Sequence, residues 1–332
     1  LAGICVLSNT KVNAEIIKNI SDTFSITTYG AVNSKETLST DAVQKAIDAA
    51  NAKGGGVVLV PAGTYLCGPI ILYSNITLYI EKNAMLLLNN DIKNFPSQGK
   101  SYLNFISASK ARNISIVGNG IINGNGEAWW KAYRGKELTL RRPQLIYFSN
   151  CQNILIKNIH TLNPPNTHFS MPDCENVVFD HVIVEAPATS PNTDGINLSG
   201  KNIKINYCKI KTGDDNIALN ISRNPAGNIT VTHCEFGWGH GLSIGSFTGG
   251  GLDGLLVDSC IFDGTTSGIR LKSNRGRGGV VKNLVYKNIQ MDNVKYPIFI
   301  SGYYPKEPAT PDSDPAQPMT NTTPVWKDIS LS

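Results

Sequence analysis

Polar and apolar positions along this chain repeat on a long period. An Asn followed by alternating apolar residues recurs at Asn75-Ile76, Asn113-Ile114, Asn153-Ile154, Asn176-Val177, Asn202-Ile203, Asn228-Ile229 and Asn283-Leu284, with Gly254-Leu255 filling the one gap. From Asn153 onward the intervals are 23, 26, 26, 26 and 29 residues. Alternation with a period of two puts successive side chains on opposite faces of a strand, and no helical spacing competes with it. A unit of ~20–30 residues that cannot bury its apolar face alone must stack on its neighbours. The pattern predicts two short strands per turn of a solenoid. This is an all-β chain folded as a parallel β-helix around one continuous core.

One segment breaks the pattern. From Thr40 to Asn51 the residues Ala42, Val43, Ala46, Ile47 and Ala50 form a helical stripe, with Ser39 or Thr40 as cap and Gly54-Gly55-Gly56 as stop. A solenoid needs its open end covered, so this is read as an N-terminal capping helix. The strand Val57–Val60 and the turn Pro61-Ala62-Gly63 then open the first coil. Towards the other end, Pro305–Pro324 reads as a long surface loop and Trp326–Leu331 as a strand. Either further coils follow that strand or a partner covers it.

The run Leu1-Ala2-Gly3-Ile4-Cys5-Val6-Leu7, with the small Ala14 before Glu15, resembles the back half of a secretory signal peptide. Residues 1–14 are taken as its remnant and 15–332 as one β-helix catalytic domain, secreted or periplasmic and monomeric. No run approaches the ~20 apolar residues of a membrane span. Of the seven cysteines, Cys208, Cys234 and Cys260 each fall six residues after Asn202, Asn228 and Gly254, while Cys151 and Cys174 precede Asn153 and Asn176 by two. They read as stacked, buried thiols. Without a close CxxC pair, a zinc site is not expected.

Composition narrows the partners. Among 332 residues only 17% are charged and 31 are Gly, as many tight turns require. A net charge of +5 suits an anionic partner but is too mild to establish one. The cations are dispersed, with no basic stripe interleaved with aromatics, which excludes nucleic acid.

Four segments share the repeat and carry chemistry. They are Asn192-Thr193-Asp194, Gly213-Asp214-Asp215, Gly239-His240-Gly241 and Arg270-Leu271-Lys272. Asp194, Asp215 and His240 each lie two residues before the first apolar position of a strand, at Ile196, Ile217 and Leu242. Arg270 and Lys272 follow Ile269 by one and three. Stacked in parallel, they fall into columns. Alone, an Asp-Asp or Asn-Thr-Asp-Gly is usually a turn, and a Gly-His-Gly is usually a loop. In register they bring three carboxylates, an imidazole and two cations to one wall. Clustered acids raise one another's pKa, so one holds a proton while another stays a base. Glycosidic hydrolysis needs that division. The outward residues Asn197, Ser199, Ala218, Asn220, Ser243 and Gly245 are small or short and leave a groove for a polymer. Two cations beside it suit a sugar that carries a carboxylate.

These four motifs, in this order, resemble the polygalacturonase signature of glycoside hydrolase family 28, and the likeness runs from Phe24-Ser25-Ile26 to about Tyr304. The resemblance implies a right-handed parallel β-helix that hydrolyses α-1,4 galacturonan with inversion. It implies Asp214 as general acid, Asp194 and Asp215 as holders of the water, and His240 as support for the acid's protonation. Arg270 and Lys272 would bind galacturonate carboxylate, with Asn192 and Tyr304 as further substrate contacts. Neither a cofactor nor a metal is expected. The competing expectations are a rhamnogalacturonan or xylogalacturonan hydrolase of the same family, a Ca-dependent lyase-like β-helix, and a non-catalytic carbohydrate-binding solenoid. Endo action is slightly favoured over exo.

Overall fold

The computed structural model describes residues 23–306, 313 and 316–332. Residues 1–14, read as a signal remnant, and part of the Pro305–Pro324 loop lie outside these. Two large sheets of 18 and ten strands run the length of the chain. The strand pairs within them are parallel, and each coil lies in register on the next. Ile203, Ile229, Leu255 and Leu284 pair in succession and form one buried apolar column. The fold is the expected parallel β-helix.

A coil holds three strands, not two. One coil runs Ile217–Leu219, Ala226–Thr232 and Glu235–Phe236, and the next runs Leu242–Ile244, Leu252–Asp258 and Ile261–Asp263. From Ile121–Asn123 onward the unread third strand has only two or three residues and one inward side chain. Ile210, Phe236 and Phe262 fill that position on successive coils. With a single apolar position there is no alternation to detect.

The Asn residues form a ladder on the outside of one turn. Each adopts a left-handed φ of 52–63°, a conformation that Asn tolerates better than most side chains. Side-chain amides link the coils: Asn113 donates to Asn75 at 2.8 Å, Asn153 to Asn113 at 2.9 Å, Asn176 to Asn153 at 2.9 Å, Asn202 to Asn176 at 3.1 Å and Asn228 to Asn202 at 2.7 Å. At the gap, Gly254 keeps the backbone turn while neighbouring Asp253 accepts from Asn283 at 2.6 Å. The five cysteines in the repeat are buried free thiols, and Cys234 and Cys260 donate to the Ile205 and Val231 carbonyls of the preceding coil.

Helix α1, Thr40–Ala52, buries the expected stripe of Ala42, Val43, Ala46, Ile47 and Ala50 against the first coil. Its expected caps serve other partners. Ser39 Oγ accepts the Val32 N–H at 3.0 Å, and Thr40 Oγ1 accepts the Gly68 N–H at 2.6 Å, so both hydroxyls fasten the helix to the solenoid. A second helix, α2, spans Glu127–Arg134. Trp129 packs edge-on against Phe95 and Tyr102, and Trp130 Nε1 donates to the Pro164 carbonyl at 2.9 Å.

Candidate active site

Strand pairing brings the four motifs together. Ile196 pairs with Ile217, Ile217 with Leu242 and Leu242 with Ile269, so Asp194, Asp215 and His240 stand at the same offset on three consecutive coils. Two glycines make the turns close enough. A Cβ on Gly213 would lie 2.0 Å from the Ser190 carbonyl oxygen, and one on Gly241, whose φ is +74°, would lie 1.8 Å from that of Ser267. Any side chain there would push the coils apart.

Arg270 shares its column with Asn197, Ala218 and Ser243. Because Ala218 and Ser243 are small, the guanidinium leans back over them instead of projecting straight out. Arg270 Nη1 reaches Asp215 Oδ1 at 2.8 Å, and Lys272 Nζ reaches Asp215 Oδ2 at 2.6 Å. Ser243 Oγ donates to the same Oδ1 at 2.8 Å. Both cations are therefore committed to one buried carboxylate, and Lys272 is itself buried. Tyr304 caps the pair, its ring centroid 5.0 Å from Lys272 Nζ and 5.7 Å from the Arg270 guanidinium.

The carboxylates divide as clustered acids should. Burial would raise Asp215, but the His240 hydrogen bond and the Lys272 and Arg270 charges outweigh it and hold this group well below the usual carboxylate range. Asp194 moves the other way, raised by burial first and then by the Asp215 and Asp214 charges, against an amide bond from Asn197 at 3.0 Å and the Lys272 charge. The two buried carboxylates are thus pushed in opposite directions by their surroundings. His240 Nδ1 lies 3.1 Å from Asp214 Oδ1 and 3.6 Å from Asp215 Oδ1. The two carboxylates, Asp214 first, raise the imidazole to about 9, so it is cationic at neutral pH.

A cleft of about 310 Å³ opens over the cluster, lined among others by Asn166, Asn192, Asp194, Asp214, Phe247 and Lys272. Asn192 also borders the cluster, with Nδ2 3.5 Å from Asp214 Oδ2. Other contributors were unread. Buried Asn216 donates to the Ile210 and Trp238 carbonyls and accepts the Gly241 N–H at 2.7 Å, clamping the Asp215 and His240 turns together. Its signal was its place directly after Asp215.

Residues 52–329 match the family described as glycosyl hydrolases family 28. An endo-polygalacturonase of Pectobacterium carotovorum subsp. carotovorum is 32% identical over 99% of this chain and 85% of its own length. Another from Pectobacterium parmentieri is 34% identical over 88% and 76%. A solved polygalacturonase from Erwinia carotovora ssp. carotovora aligns with a TM-score of 0.80 at 32% identity, covering 93% of this chain and 85% of that one. This chain belongs to glycoside hydrolase family 28. It is polygalacturonase-like along nearly its whole length.

In this family 28 enzyme one ligand atom each of Asp214, Asp215 and His240 lies within 4.8 Å of the others, as a metal site would require. The charges argue against that use. Asp215 already holds two cations, and a protonated imidazole offers no lone pair at Nδ1.

Proposed function

We propose that this enzyme hydrolyses the α-1,4 galacturonosidic bonds of polygalacturonate with inversion, cutting within the polymer. The reading rests on the division of charge among three stacked carboxylates. Asp215 is fixed as an anion, Asp194 is a carboxyl of raised pKa beside it, and Asp214 is paired to a cationic imidazole. Asp214 serves as the acid for the leaving oxygen, and His240, bonded to its other oxygen, supports its protonation. Asp194 and Asp215 hold the attacking water and take its proton. Arg270 and Lys272 then share their charge between Asp215 and a substrate carboxylate, with Tyr304 against the sugar. Two endo-acting relatives at 32% and 34% identity support cutting within the chain.

A time course on polygalacturonate tests this directly. Early products should be a ladder of oligomers that gain reducing ends without ultraviolet absorbance, and EDTA should leave the rate intact. Monomer or dimer alone at early times would mean exo action. A new absorbing double bond, with loss in EDTA and rescue by Ca²⁺, would mean a lyase. A faster rate on rhamnogalacturonan or xylogalacturonan would move the substrate within the family.

A further inference from the structure

The two oxygens of Asp214 have different neighbours. Oδ1 accepts the Asp215 backbone N–H at 2.9 Å and faces His240 Nδ1 at 3.1 Å, while Oδ2 faces the side-chain amide of Asn192 at 3.5 Å. That amide could be turned either way, with opposite consequences. An NH₂ group cannot accept a hydrogen bond from a carboxylic O–H, so a proton on Oδ2 stays available to substrate. A carbonyl oxygen in the same place would accept that O–H and hold the proton internally.

Arg142 sets the orientation. A guanidinium offers only donors, and Arg142 Nη2 donates to Asn192 Oδ1 at 2.7 Å, which turns Nδ2 towards Asp214. Arg142 is itself held tightly: it is 5% exposed, Nη1 donates to the Pro165 and Pro191 carbonyls at 2.8 and 2.9 Å, and its guanidinium lies 4.0 Å from the Tyr133 ring centroid. Asn192 is exposed, so its own packing does not orient it.

We propose that Arg142 is a positioning residue for acid catalysis, which keeps an acceptor away from Oδ2 of Asp214 by holding Oδ1 of Asn192. This rests on Asp214 being the acid. In the step served, the Asp214 O–H bond breaks and its proton bonds to the glycosidic oxygen. The electrons of the scissile C–O bond leave with that oxygen. Water bonds to the sugar carbon and gives its proton to the Asp194–Asp215 pair.

The test compares two leaving groups on one oligogalacturonide: its natural sugar, which must be protonated, and 4-nitrophenoxide, which leaves unaided. Asp214→Asn is the reference and should lose about 10²–10⁴ in kcat on the sugar substrate and little on the aryl one. Arg142→Met should lose about 10–100-fold on the sugar substrate, the usual cost of removing a group that orients another. Its aryl rate and its KM should move little. Arg142→Lys keeps one donor and should recover part of the sugar rate. Equal losses by Arg142→Met on both substrates would mean that Arg142 only supports the fold. If Arg142→Met does not fold, Arg142→Lys is read with and without Asn192→Ala. It should widen the split alone and add nothing once the amide is gone, and an undiminished split in the double variant overturns the proposal. If Asp214→Asn shows no split, the acid assignment fails and the role of Arg142 falls with it.

Discussion

At the residue scale, the columns were legible because each motif keeps a fixed offset from its strand, and pairing converts offset into position. The reach of the side chains was not. That Arg270 and Lys272 bend back to Asp215 depends on how little Ala218 and Ser243 fill, and that Arg142 meets Asn192 depends on a contact across 50 positions. The committed cations make a sharper test of their role. If they also read substrate charge, wild type should prefer de-esterified polymer, and Lys272→Met should lose about 10- to 150-fold mainly on that polymer, the value of one charge-assisted bond. An equal loss on methyl-esterified pectin would leave Lys272 with Asp215 alone. His240 carries a pH prediction of definite sign. Its folded pKa of about 9 exceeds the ordinary 6.5, so its stabilisation is full below the lower value and disappears as pH rises through the upper one. Urea midpoints of wild type and His240→Gln should therefore converge between about pH 7 and pH 10. A gap that persists at the alkaline end would show that the ring stabilises by packing.

At the element scale, the period told more than any single strand. The strand after each Asn was read from its alternation, whereas the short third strands from Ile121 onward were lost because one inward side chain carries no period. The capping stripe of α1 was legible, but its hydroxyl contacts were not, since Val32 and Gly68 are remote in the pattern. The ladder supports a prediction that separates backbone from side chain. Asn176 donates to Asn153, accepts from Asn202 and holds φ at +56°. Asn176→Gly loses two exposed amide bonds and should cost ~1–3 kcal/mol. Asn176→Ala loses the same bonds and must also hold a left-handed backbone, adding ~1–2 kcal/mol. Thermal midpoints should fall in the order wild type, Gly, Ala. Equal midpoints for the two variants would mean that the turn relaxes and the conformation carries no cost.

At the scale of the whole molecule, stacking decides both stability and where chemistry can sit. Each coil is stabilised mainly by its immediate neighbours, and the columns of Asp194, Asp215 and His240 lie on coils far along the chain from the α1 cap. Damage at the cap should therefore be felt as stability before it is felt as chemistry. Ile47 is fully buried between α1 and the first coil. Ile47→Ala deletes methyl groups from a packed interior and should cost ~2–5 kcal/mol, with the spread set by how far the helix can settle into the space. Well below the unfolding range, kcat and KM on polygalacturonate should match wild type, because among the described residues no hydrogen bond joins α1 to the side chains of Asp194, Asp214, Asp215 or His240. Heating should then separate them, with the variant losing activity at a lower temperature but with the same product ladder until it does. If kcat instead falls at low temperature in step with the lost stability, the coils do not act as near-independent neighbours. The geometry around Asp214 and Asp215 would then depend on the capped end, through the one core that all the coils share.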